Sequence, residues 1–224
     1  MPCAFKFHYS GKWRYIRFYI SKEMSFTLII VAITVIVSIA AFSNVDLLNK
    51  LILWPRQMNS PAEYYRFITS GFIHADWNHL FFNMFALYFF GENIENGLGI
   101  SGALFLAIYI SGIVLSSIPS FVKNRNNSYY RSLGASGGVS TIVFMTIYFF
   151  PWSKISLMFI PIGIPAILFA VLYLIYSVVM SKRGVGNVNH DVHIWGSIYG
   201  LIIAAIVDPS HGISFIDQLM HPYF

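Results

Sequence analysis

The sequence predicts an all-α membrane protein: a bundle of six transmembrane helices with a long first loop at the membrane interface. Three observations lead there. Hydrophobic residues make up 57% of the 224-residue chain and charged residues only 10%, where a soluble domain carries roughly a quarter of its residues charged. Six apolar runs, each long enough to cross or nearly cross a hydrocarbon core of about 30 Å, are separated by polar connections. Backbone facing lipid must satisfy its own hydrogen bonds, so these runs are expected to be helical.

Taken in order, residues 1–25 form a basic segment expected at the membrane surface, 26–208 the six-helix domain and 209–224 a short C-terminal tail. Five of the fourteen Lys and Arg residues (Lys6, Lys12, Arg14, Arg17, Lys22) precede the first apolar run. The net charge of +5 is therefore read as attraction to anionic headgroups, with no nucleic-acid partner. The one cysteine, Cys3, cannot form an internal disulfide. The run from Phe26 to Phe42 is long enough to stay as an anchor instead of being cleaved as a signal peptide.

The connection from Ser43 to Asn78 mixes Trp54, Pro55, Pro61, Tyr64, Tyr65, Phe72 and Trp77 with scattered charges, a composition suited to the interface. Further runs follow at 79–90, 102–121, 134–150, 155–180 and 192–207. The second, fourth and sixth are short, so they can end below the surface and admit water. Pro161 and Pro165 predict a kink or break in the fifth. No repeats interrupt the chain, which implies one domain. With the N-terminus inside, six cations lie on the cytoplasmic side and eight outside; the segment before the first helix weighs most, which predicts a cytoplasmic N-terminus.

Several polar residues stand where lipid should be. The second run opens with His79 and Asn83, four residues apart and so on one helical face. The fourth opens with Gly134-Ala135-Ser136-Gly137-Gly138, a hydroxyl among small residues that let another backbone approach. The sixth opens with His190 and His193 and continues through Gly196, Gly200 and Ala204. Ionisable residues within a span are functional candidates. Helices 2, 4 and 6 run in one direction, so all of these groups lie at one face and one depth. A serine, a histidine base and donors from His79, Asn83 and the Ser136 N–H suffice for acyl transfer.

In these motifs the chain resembles the rhomboid family of intramembrane serine proteases. The residues that carry the resemblance are His74-x4-His79-x3-Asn83, Gly91-x3-Glu95-x3-Gly99, Gly134-Ala135-Ser136-Gly137 and His193-x2-Gly196-x3-Gly200, and they span the six-helix core. Tyr65-Arg66 is similar to the family's Trp-Arg pair in the first loop, with Tyr for Trp. The resemblance implies a Ser136/His193 dyad without an acidic third member and an oxyanion site near His79 and Asn83. It also implies supporting roles for Arg66, His74, Glu95, Gly196 and Gly200, a small residue just before the scissile bond, and no cofactor. Two positions depart from the pattern. Some relatives carry a tyrosine one turn after the nucleophile, stacked on the histidine, where this chain has Ser140, and His190 offers a second histidine beside His193.

Competing chemistries lack their own motifs. No His-Glu-x-x-His pair is present for zinc, so no metal is expected, and Gly184-Val185-Gly186-Asn187 lacks the carboxylate of an aspartyl Gly-x-Gly-Asp site. The alternative is a non-catalytic rhomboid-like binder of membrane segments. The expected partners are transmembrane protein substrates and the lipid bilayer, with cleavage in or next to a span rich in weak helix formers. The bare six-helix core predicts a bacterial inner membrane. The Ser181–Asp191 connection, with Gly184 and Gly186, is expected to act as a flexible cap over the site.

Overall fold

The computed structural model describes residues 4–9, 12–17, 25–156, 163–183 and 189–222. Strands β1 (Ala4–Tyr9) and β2 (Lys12–Arg17) pair antiparallel, with Ala4 opposite Arg17. Alternating aromatic and basic residues, Phe5-Lys6-Phe7-His8-Tyr9 and Lys12-Trp13-Arg14-Tyr15, have the two-residue period of strands. The basic charge count alone did not predict this hairpin.

Helix α1 (Phe26–Phe42) buries one polar stripe, Thr27, Thr34 and Ser38, together with Ile30 and Ala41. The Ser25 side chain caps it by accepting from the Leu28 N–H, and Glu95 accepts from the N–H groups of Phe26 and Thr27 at 2.8 and 2.9 Å and from the Thr27 hydroxyl. Glu95 thus satisfies donors that a helix start leaves open. It ties α1 to a π turn at Asn93–Gly97, far along the chain.

The first loop is ordered by short elements: α2 (Val45–Leu51), two 3-10 turns that each begin at proline (Pro55–Gln57, Pro61–Glu63), and α3 (Arg66–Thr69) followed by a 3-10 turn at Ser70–Phe72. Proline suits the first position of a helical turn because its missing N–H is not needed there. Arg66 holds the loop from within. Its guanidinium pairs with Glu63 at 2.5 Å and donates to the carbonyls of Asn49 and Ile52. Tyr64 and Trp77 project from the loop and the start of the next helix, with nearly half or more of their surface exposed.

Next come α4 (Trp77–Glu92), α5 (Gly102–Lys123) and α6 (Ser136–Phe149). All of α6 beyond Ser136 is buried, and its sequence is apolar or small all round, as a central helix must be. Its Ile142, Phe144, Met145 and Ile147 share the core with Phe105 and Tyr109 of α5. The outer surface is also apolar: Ile33 and Ile36 of α1 and Phe81 and Phe82 of α4 are exposed. Contiguous exposed apolar area of this kind suits lipid, not water.

A short hairpin, β3 (Lys154–Ser156) with β4 (Gly163–Pro165), precedes α7 (Ala166–Arg183). This corrects the expected fifth run of 155–180. Pro165 does not kink a helix but closes β4, and the helix begins one residue later, with the Ala166 and Ile167 N–H groups donating to the carbonyls of Ser153 and Pro151. Proline disfavours helical backbone in the residue before it, so the apolar run could not stay helical through this point. Pro161 lies outside the described residues, as do 184–188, the middle of the connection expected to act as a cap.

Helix α8 (His190–Val207) follows. Residues 209–224, expected as a short C-terminal tail, contain a further helix, α9 (His211–Met220). Its start packs under α6, with His211 against Tyr148 and Phe149 and Phe215 against Tyr148, while Ile213, Ile216 and Met220 face outward. Among the described residues α5, α7 and α8 are each long and apolar enough to cross a membrane, and α1 and α6 are shorter apolar helices.

Candidate active site

The polar residues meet where α4, α6 and α8 begin. Gly134 is the pivot. Its φ of +114° lies in the left-handed region that favours glycine, and a Cβ there would fall 2.6 Å from Cε1 of His79. The turn is held by its backbone: the Gly134 N–H donates to the Ser70 carbonyl at 2.9 Å, and the Ala135 N–H donates to Nε2 of His74 at 3.3 Å. The first bond within α6 runs from the Val139 N–H to the Ala135 carbonyl. The amide groups of Ser136 and Gly137 therefore belong to the open N-terminus of the helix.

His74 has a defined proton arrangement. Because Nε2 accepts, the neutral ring carries its proton on Nδ1, which donates to the Ser38 hydroxyl at 2.9 Å; Ser38 in turn donates to the Phe72 carbonyl. His74 lies in the connection before α4 and is buried. Burial, helped by the neighbouring His79 ring and opposed by Asp76, lowers its pKa to about 3. In the unfolded chain it would titrate near 6.5. Unfolded protein thus binds the proton more readily, and stability falls as pH drops below about 6, by up to roughly 1.4 kcal/mol per pH unit from this residue. The thermal midpoint of wild type in detergent is expected to fall more steeply between pH 7 and pH 5 than that of His74→Asn. Parallel pH profiles would contradict the assignment.

Helix α8 lies against α6 backbone to backbone. A Cβ on Gly196 would fall 2.5 Å from the Gly137 carbonyl oxygen, and one on Gly200 2.4 Å from that of Thr141. The two contacts have the same residue offset, so the helices run parallel, and His193 stands level with Gly134 at the mouth of the turn. Thr141 joins them by donating to the Gly137 and Gly196 carbonyls. Asn189 anchors the start of α8: its amide donates to the Tyr130 and Ser132 hydroxyls at 2.6 and 3.0 Å.

His79, Ser136 and His193 are all half-buried, whereas Asn83 is buried and donates one amide hydrogen to the His79 carbonyl at 2.9 Å. Among the described residues no hydrogen bond joins Ser136 to His193. The His193 ring stacks instead on Tyr173 of α7, with centroids 5.9 Å apart and planes within 17°. His190 meets it edge-on at 5.6 Å and leaves its own buried Nδ1 without a partner among the described residues. Arg66 lies away in the loop scaffold, and Glu95 caps α1. Sequence reasoning missed Tyr173 and Asn189. The only trace of Tyr173 is an aromatic stripe, Phe169, Tyr173 and Tyr176, at helical spacing.

The fold is predominantly helical and of membrane type, with serine, histidine and amide groups at or near the starts of α4, α6 and α8. Residues 61–210 match the rhomboid domain. The chain belongs to the rhomboid family. It is 28% identical to the mitochondrial RHOMBOID-like protein 12 of Arabidopsis thaliana over 60% of this chain and 44% of that protein. It is 30% identical to the chloroplastic Rhomboid-like protein 11 of the same plant over 65% of this chain and 52% of that one. The human mitochondrial presenilin-associated rhomboid-like protein is 34% identical over 42% of this chain and 24% of its own length. The chain thus spans about half or less of these relatives. Their names place them in mitochondria and chloroplasts and lend no support to the bacterial membrane expected from the sequence.

Proposed function

We propose that this protein is an intramembrane serine endopeptidase in which α1, α4, α5, α6, α7 and α8 each span the bilayer and Ser136 and His193 form the catalytic dyad. The observation that carries the reading is the parallel register of α6 and α8, which supports bringing the His193 ring to the level of the Gly134–Ser136 turn.

The reaction follows from the groups at hand. His193 takes the Ser136 hydroxyl proton as Oγ attacks the substrate carbonyl. The oxyanion that forms is stabilised by the Ser136 N–H at the helix start, the His79 ring and the free amide hydrogen of Asn83, and losing one such donor costs about 3 to 4 kcal/mol of barrier. His193 returns the proton to the leaving amine as the peptide C–N bond breaks. Water then attacks the acyl-serine with His193 as base, releasing the new carboxyl group and restoring Ser136. Attack by Ser136 needs an exposed substrate carbonyl, so the substrate is read as a transmembrane segment unwound near the cut by residues such as Gly or Pro.

A fluorophosphonate probe tests the reading. Covalent labelling is expected on the peptide containing Ser136 and is expected to vanish in Ser136→Ala. Labelling that persists in the mutant, or its absence from well-folded wild type, would overturn the assignment, and the second outcome would favour a membrane-segment binder.

A further inference from the structure

We propose that Tyr173 is the positioning residue for His193 and takes the place of a ring that Ser140 cannot supply. The inference rests on the serine-peptidase reading and names a further residue for the same site. Among the described residues no hydrogen bond holds either nitrogen of the His193 ring, so its orientation must come from ring contacts. Two rings touch it. His190 meets it edge-on and is itself unanchored at Nδ1. Tyr173 lies nearly parallel to it, at 17° with centroids 5.9 Å apart, an offset stack that restricts the plane of the imidazole.

Tyr173 is itself fixed on three sides. Its hydroxyl shares a hydrogen bond of 2.9 Å with Ser140 Oγ, and its ring stacks on Phe169 at 5.7 Å and packs against Phe144 at 5.9 Å. Ser140 is buried and lies one turn beyond Ser136 on α6. The chain of contacts therefore runs from the nucleophile's helix through Ser140 and Tyr173 to the base, holding Ser136 and His193 in one frame although they share no hydrogen bond. A small hydroxyl at position 140 is what admits a tyrosine from α7: a large ring there would occupy the space that Tyr173 fills.

Positioning errors of about 1 Å lower turnover by about 100-fold. Tyr173→Leu keeps bulk but loses the flat ring, and it is expected to reduce kcat by about 10- to 100-fold with little change in KM and with slower fluorophosphonate labelling of Ser136. Tyr173→Phe keeps the stack and loses only the tether to Ser140, so its loss is expected to be clearly smaller. Wild-type kcat in Tyr173→Leu, an effect confined to KM, or equal losses in the two variants would overturn the role of the ring while leaving the labelled serine peptidase intact. Absence of labelling in wild type would instead remove the peptidase reading, and the positioning role with it.

Discussion

Changing His193 to alanine is expected to lower turnover by about 10²- to 10⁴-fold, the range that general acid–base catalysis supplies, while His190→Ala keeps most of the activity. The two histidines lie three residues apart on α8, so composition and helical face do not separate them. Register does. His193 is one turn above Gly196, the residue that meets the Gly137 carbonyl, and its ring is held by a stacked tyrosine. His190 is turned toward Tyr176, with its ring centroid 5.4 Å away. Rates of cleavage and of Ser136 labelling, measured on both variants at matched folded fractions, check the assignment. The reverse pattern would transfer the base to His190.

The second large effect is expected at Gly196. A side chain there has no room, because even the first carbon would sit 2.5 Å from backbone, and the opposing wall is the Gly137 carbonyl, which cannot rotate away. Gly196→Val must push α8 off α6. Overpacking of this kind costs about 1 to 3 kcal/mol, and the displacement carries His193 away from Ser136, so activity is expected to fall about 100-fold or more even in protein that still folds. Gly97 has nothing within 4 Å of its would-be Cβ and lies at the far turn; Gly97→Ala is expected to change neither the thermal midpoint nor turnover. Wild-type activity in Gly196→Val would show that the close approach of these helices is not needed.

The helical character of the chain and its rhomboid membership were legible because both are written in local patterns. Apolar runs mark the helices, and the small residues of the Gly-x-Ser-Gly and His-x2-Gly-x3-Gly spacings mark where α6 and α8 meet. Where the reading failed, the determinant was non-local or of another period. The Pro165 boundary was missed because hydropathy continues across it, although the backbone rule for the residue before proline does not. The N-terminal hairpin has a two-residue period that a charge count does not register, and α9 adds a helix within the C-terminal tail, with Ile213, Ile216 and Met220 at helical spacing. Tyr173 could not be found from any motif. Its role depends on a hydroxyl 33 residues earlier in the chain and a ring 20 residues later, and only packing joins them.

The most direct measurement is cleavage of a helix-destabilised transmembrane substrate in liposomes by wild type and by Ser136→Ala. The account predicts two substrate fragments with wild type, cut in or beside the membrane segment, and intact substrate with the mutant. Equal cleavage by both proteins, or none by wild type across substrates with Gly or Pro in the segment, would contradict it.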